Sequence, residues 1–275
     1  MEKVSFTDDI DSTIKRLIDE KLIRHTCQFF VKGESGLKPM GSGVLALIHD
    51  TYYILTASHV AEVISSDVDV LVQVDHKRYI NVVGEINMTD LHKDKNIDIA
   101  YIKLTEEFVK ALPKQYIFLT IDKIRKHINL LDASNYCILG FPENNVKQEN
   151  GILKTGAAYY ITSPAKDNRY EHYGFTKEDC YIMDIAGKGT SLFTGEKRSK
   201  INTHFNGMSG CGLWLLIIDQ EPETKEFFTD YRLIGIMTEY RNGKYFCLIG
   251  NRIHLIIEAW KVIEGHKFNE IPITM

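Results

Sequence analysis

The sequence predicts an all-β protein of the barrel or sandwich type with a helix near each end. Two observations carry this. Short runs rich in β-branched and aromatic residues recur at even spacing through most of the 275 residues, broken by Gly, Asn and Asp turn signals. Apolar residues take a helical spacing only close to the termini. In the first helix, Thr7–Leu22, Thr7 caps the start and Asp8 and Asp9 suit the positive end of the dipole. Ile10, Ile14, Leu17 and Ile18 form its apolar stripe. Strands are expected at Thr26–Lys32, Gly43–His49, Tyr52–Thr56, Val68–Val74, Tyr79–Ile86 and Ile97–Leu104. After a charged linker, Lys103–Lys126, they resume at Tyr136–Leu139, Ala157–Thr162, Tyr181–Ile185, Gly212–Ile218, Leu233–Tyr240 and Lys244–Ile249. Asn242-Gly243 signals a hairpin with a type I′ turn, and Arg252–Val262 closes the chain as an amphipathic helix through Ile253, Ile256, Ile257 and Trp260.

Composition excludes several function classes. The chain is 44% hydrophobic and 25% charged, with 14 Tyr and 13 Phe, as expected of a soluble globular protein. Its formal net charge is -4 and no basic stripe is present, so no nucleic-acid partner is expected. Lys188, Lys197, Arg198 and Lys200 read as a solvated loop. The N-terminus lacks the basic and apolar regions of a signal peptide, and the longest apolar stretch, Leu213–Ile218, is too short to span a membrane. Five widely spaced cysteines, Cys27, Cys137, Cys180, Cys211 and Cys247, form no CxxC pair. They suggest neither a disulfide framework nor a zinc site, and place the protein in the cytoplasm. Gly187-Lys188-Gly189-Thr190-Ser191 lacks the first glycine of a phosphate loop, so no cofactor or metal is expected.

Three segments carry chemistry. Gly207-Met208-Ser209-Gly210-Cys211-Gly212 is either a Gly-rich loop before a strand or a tight turn that holds a serine Oγ outward. In the second case the N–H groups of Gly207 and Ser209 suit an oxyanion hole. Strand-like sequence after Ser209 argues against the nucleophile elbow of α/β-hydrolases. His59, in Thr56-Ala57-Ser58-His59-Val60, sits at a strand end among small residues that let its ring reach a neighbouring unit. Asp98 puts a carboxylate into the apolar run Asn96–Ile102, where it needs a hydrogen-bonding partner such as an imidazole.

With these residues in view, the chain resembles the trypsin/chymotrypsin-like serine peptidases. TASHV (56–60) is similar to their TAAHx segment, NIDIAYIKL (96–104) to xxDIAxxxL, and GMSGCG (207–212) to GxSGGx, in the same order. Gly41-Ser42-Gly43, the LGFP at 139–142 (like the GYP of the bacterial Deg branch) and the LIGIMT at 233–238 add lesser matches. The resemblance implies two antiparallel six-stranded β-barrels with the active site in the cleft between them. The expected organisation is an N-terminal helical extension (1–24), a first barrel with His59 and Asp98 (25–110) and a linker (111–134). A second barrel with Ser209 (135–250) and a C-terminal helix and tail (251–275) follow. It further implies a His59–Asp98–Ser209 triad, an oxyanion hole at Gly207 and Ser209, and a protein or peptide substrate.

Departures narrow the reading. Val60 and Phe205 stand where secreted relatives place cysteines, and Met208 replaces the acidic partner of a newly cut N-terminus. Thr203 is the implied pocket base and Thr238, Glu239 and Tyr240 one wall; without an acidic base, cleavage after Lys or Arg is not supported unless Glu239 or Asp184 supplies the charge. Buried Cys211 is expected to pack rather than react. No PDZ-like domain is expected, which leaves room for a regulatory partner protein. The expected function is an intracellular serine endopeptidase acting on one or few proteins. The alternatives are a non-catalytic or latent module that binds peptides in the same cleft, and an esterase on the same triad.

Overall fold

The computed structural model describes residues 2–4, 10–34, 36–66, 68–75, 78–94, 96–126, 135–149, 152–191, 197–198, 205–223 and 227–268. Two antiparallel sheets dominate it. The first comprises β1 (Thr26–Gly33), β2 (Gly36–Ile48), β3 (Thr51–Thr56), β4 (Val70–Gln73), β5 (Tyr79–Asn81), β6 (Gly84–Met88) and β7 (Ala100–Leu104). Its spatial order is β5-β4-β1-β2-β3-β7-β6, with the short strand Leu119–Thr120 added parallel to β2. The strand expected over Tyr79–Ile86 is split at Val82-Val83, because β5 pairs with β4 while β6 pairs with β7. Those strands lie at opposite ends of the sheet, yet only two residues join them. Three peptide steps span about 11 Å at most, so the sheet curls strongly into a half-barrel.

The second sheet is built on β8 (Asn135–Gly140), β9 (Ala158–Pro164), β10 (Cys180–Ser191), β11 (Gly212–Gln220), β12 (Phe227–Arg241) and β13 (Cys247–Arg252), with the short strands Glu2–Val4 and Lys197–Arg198 paired to β12 and β10. Each of the six pairs with two neighbours in the ring β12-β11-β8-β9-β10-β13, and β13 returns to β12, closing a six-stranded barrel. Register shifts at 160/162, 213/214 and 237/239 mark bulges that bend long strands enough to close. The expected all-β architecture of two barrel-like units is therefore present, the second as a closed ring and the first as a curled half-barrel.

Alternation along β8 shows why these strands are buried on both sides. Tyr136 and Ile138 fill the closed barrel with Tyr160, Tyr181 and Leu213. Cys137 and Leu139 face outward into a core shared with Val44, Ala46 and Tyr53 of the first sheet. Helix α1 (Ile10–Glu20) adds Ile14, Leu17 and Ile18 to that shared core, while Ile10 at its first position is 47% exposed and leaves the expected stripe. The expected cap and acidic start of this helix, Thr7 to Asp9, lie outside the described residues. Helices α2 (Ser58–Ser65), α3 (Glu106–Ala111) and α4 (Asp167–Tyr173) are short. Thr105 caps α3 through the Phe108 amide at 3.3 Å. Helix α5 (His254–Val262) buries Ile256, Ile257 and Trp260, and Ile253 before it is also buried.

One turn expectation needs correction. The type I′ turn lies at His49-Asp50, whose φ angles are 45° and 64°, between the paired Ile48 and Thr51. Asn242-Gly243 does lie between two hairpin strands, but neither residue has a positive φ and the pairing resumes only at Arg241 and Cys247. Tyr245 within that connection is held by α4, accepting a 2.6 Å hydrogen bond from Tyr173 and packing under Arg169. These contacts favour a wider loop over a two-residue turn.

Candidate active site

Ser58 opens α2 and fixes the backbone around His59. Its hydroxyl donates to the Ile99 carbonyl at 2.7 Å and accepts from the Thr89 amide at 3.1 Å. Asp98 lies two residues before β7, not inside a strand as expected; side chains supplement the few backbone bonds that hold residues 97–99. Thr89 Oγ1, for one, donates to the Ile97 carbonyl and accepts from the Ile99 amide. Asp98 Oδ1 accepts from the His59 amide at 3.1 Å, a first-turn N–H with no helical partner of its own, and Oδ2 accepts from Nδ1–H at 2.7 Å. A carboxylate at Nδ1 fixes the proton there and leaves Nε2 as the basic nitrogen. Burial of the ring opposes its charge. The hydrogen bond and charge of Asp98, with the charges of Glu62 and Glu239, outweigh it and raise the His59 pKa above its ordinary 6.5.

The Ser209 loop is built by two glycines with positive φ, Gly207 at 85° and Gly210 at 86°. A Cβ on Gly210 would collide with the Ser42 carbonyl and the Thr56 hydroxyl, and one on Gly207 would come within 2.7 Å of the Phe141 carbonyl. Only glycine meets both demands. Ser42, fully buried on β2, docks the loop on the first sheet. Its amide donates to the Ser209 carbonyl at 2.8 Å, and its hydroxyl donates to the Gly207 carbonyl at 2.8 Å and accepts from the Phe141 amide at 3.1 Å. Thr56 Oγ1 in turn donates to the Ser42 carbonyl at 2.9 Å. The strand that leads to His59 thus also supports the loop that carries Ser209.

Peptide planarity then decides which N–H groups of the loop face outward. The Asn206 carbonyl accepts from the Glu143 amide at 2.7 Å and the Met208 carbonyl from the Cys211 amide at 3.0 Å. In a trans peptide the N–H points opposite to the C=O, so the Gly207 and Ser209 amides turn away from those contacts. Met208, Gly210 and Cys211 donate to Phe205, Met237 and Met208 carbonyls at 3.0, 2.7 and 3.0 Å. Among the described residues, the Gly207 and Ser209 amides have no protein acceptor. They are the two amides that the sequence reading expects as oxyanion donors.

Ser209 Oγ–H donates to the Thr238 carbonyl at 2.9 Å and makes no hydrogen bond with His59. Thr238 is the bulged residue between Met237 and Glu239, so its carbonyl is turned out of the β12–β13 ladder. Beside Ser209 opens a small, open pocket lined by Ile138, Phe205, Met208, Met237, Thr238, Glu239, Tyr240 and Leu248. The expected wall residues Thr238, Glu239 and Tyr240 are therefore together at the serine, whereas Thr203 lies outside the described residues. Asp184 is absent from the pocket lining and is bonded to Arg169. Glu239 is paired with Arg241 at 3.0 Å. Phe205 and Met208, marked in the sequence only as departures from a family pattern, prove to border the pocket. Their flanking of Ser209 was the available signal.

Cys211 is fully buried, and burial raises its thiol pKa far above the ordinary value, so it packs in the barrel as an inert side chain. All five cysteines are free and buried. Among the described residues, no group of three or more His, Cys, Asp or Glu lies close enough to hold a metal ion, and no helix is long and apolar enough to cross a membrane. The sequence matches no protein-family model and no curated protein. The closed barrel beside a curled half-barrel fits a trypsin-like double-barrel fold in general.

Proposed function

We propose that this chain is a serine endopeptidase of the trypsin-like type that cleaves one or few proteins in the cytoplasm. The observation that carries the reading is the 2.7 Å pairing of His59 with Asp98, together with a serine loop whose Gly207 and Ser209 amides have no acceptor among the described residues. In the proposed reaction, Ser209 Oγ leaves the Thr238 carbonyl and turns its hydroxyl to His59 Nε2. Oγ bonds to the substrate carbonyl carbon as Nε2 takes its proton, and the Gly207 and Ser209 amides stabilise the oxyanion. The C–N bond then breaks as His59 protonates the leaving amine, and water repeats the sequence to release the acyl group. Each oxyanion donor contributes about 3–4 kcal/mol in enzymes of this kind.

The pocket lining favours a substrate with an apolar side chain at the cut, because Ile138, Phe205, Met208, Met237 and Leu248 make up most of it and the Glu239 carboxylate is engaged by Arg241. Five unpaired thiols support a reducing compartment. A fluorophosphonate probe tests the chemistry: it should label Ser209 in the wild type and not in Ser209→Ala. New protein termini in cells expressing the two forms should follow apolar residues. A wild type unlabelled with and without candidate partner proteins would remove the peptidase reading. The second reading, a latent or non-catalytic peptide-binding module, draws on the hydrogen bond of Ser209 to Thr238 instead of His59. A peptide that binds the cleft uncut would favour it.

A further inference from the structure

We propose that Asn251 is a positioning residue for Asp98, and through Asp98 for the His59 imidazole; this rests on reading His59, Asp98 and Ser209 as one catalytic set. Asn251 lies on β13 of the closed barrel and is 1% exposed. Its side chain crosses to the first unit. Oδ1 accepts from the Asp98 amide at 2.9 Å and Nδ2 donates to the Asn96 carbonyl at 3.0 Å. Nδ2 also lies 3.5 Å from the Asp179 carbonyl and 3.3 Å from Cys180 Sγ.

Residues 96–99 lie outside any strand, so their peptide groups need partners from elsewhere. A carboxamide carries an acceptor and a donor in one plane and can present both to residues 96 and 98, as the edge of a neighbouring strand would. The consequence is a common frame. Asn251 pairs with Ile236 across β12–β13, and the same strand pair supplies the Thr238 carbonyl that binds Ser209. Asp98 and Ser209, carried by different units, are thereby both referred to β12 and β13. A displacement of one unit against the other is resisted where Asn251 meets Asn96 and Asp98.

A purely structural tie would lower stability when removed and leave the titration of His59 unchanged. The charged groups that act on His59 are Asp98, Glu62 of α2 and Glu239 of β12. Loosening Asp98 weakens the strongest influence that keeps the proton on the ring, while burial continues to expel it. In the full chain, Asn251→Leu should slow fluorophosphonate acylation of Ser209 about 10- to 100-fold, as small misplacements of catalytic groups do. The acid limb of its pH profile should move to lower pH, and the low-field proton resonance of Nδ1–H bonded to Asp98 should weaken or vanish. Asn251→Ser, which admits water in place of the amide, should show the same directions if the leucine variant does not fold. Wild-type acylation rate, limb and resonance in the folded variant would overturn the proposal, even with stability reduced. If wild-type Ser209 is never acylated, the peptidase reading fails, while the resonance in wild type and variant still decides the role of Asn251.

Discussion

His59 Nδ1 and Asp98 Oδ2, 2.7 Å apart, set the protonation state on which the proposed chemistry depends. Burial works against the imidazolium, but Asp98, Glu62 and Glu239 hold its pKa above 6.5. The sign follows directly. A base with a raised pKa keeps its proton to higher pH, so Ser209 acylation should rise through a limb centred above 6.5. Asp98→Asn should lower that limb and slow the reaction about 10⁴-fold, because the amide favours the wrong tautomer. A pH profile of fluorophosphonate labelling measures both effects, and a wild-type limb at or below 6.5 would contradict this account.

At the scale of elements, the segment after α5 shows how helix and sheet are tied. The Glu264 side chain is largely covered and accepts from Tyr101 Oη at 3.1 Å and Lys103 Nζ at 2.6 Å, both on β7. Two residues on, His266 Nε2 is 2.8 Å from Tyr53 Oη on β3. The C-terminal helix is thus clasped to the first sheet although the chain enters it from the second. Glu264→Ala strands the Tyr101 hydroxyl and should lower stability by about 2–3 kcal/mol, read from urea unfolding. Fluorophosphonate labelling of the folded variant should match the wild type, because these contacts are made by residues outside the site.

For the whole molecule, His25 joins three segments. Its Nδ1–H donates to the Ile117 carbonyl at 2.7 Å, which leaves Nε2 to accept from Tyr231 Oη at 2.8 Å. Burial lowers its pKa from 6.5 to about 4 despite the helpful carbonyl, so the folded protein holds it neutral. A depressed pKa contributes stability that is present above 6.5 and is lost as pH falls toward 4. The shift corresponds to about 3 kcal/mol. The change in unfolding free energy between these two pH values should be larger in wild type than in His25→Gln by about that amount. Equal changes would remove His25 as the acid-sensitive joint.

Local order was legible where period and composition left one solution. The β-rich runs and the glycines around Ser209 depend on neighbours close in sequence, and most of those runs form strands, although the one over Tyr79–Ile86 is split and the one over Ile97–Leu104 begins only at Ala100. The Asn242-Gly243 turn was misread because Tyr245 is anchored by α4, a contact no local signal announces. Asn251 was invisible for a similar reason: nothing adjacent to it in sequence marks a carboxamide that binds residues 96 and 98. By itself the sequence determined the β-rich class and the two end helices, and it singled out His59, Asp98 and Ser209 as candidates. Tertiary structure decided that one sheet closes while the other curls, that Ser42 docks the serine loop and that Ser209 rests on Thr238. Those outcomes depend on bulges, loop reach and contacts between residues far apart in the chain, whose energies no local pattern encodes.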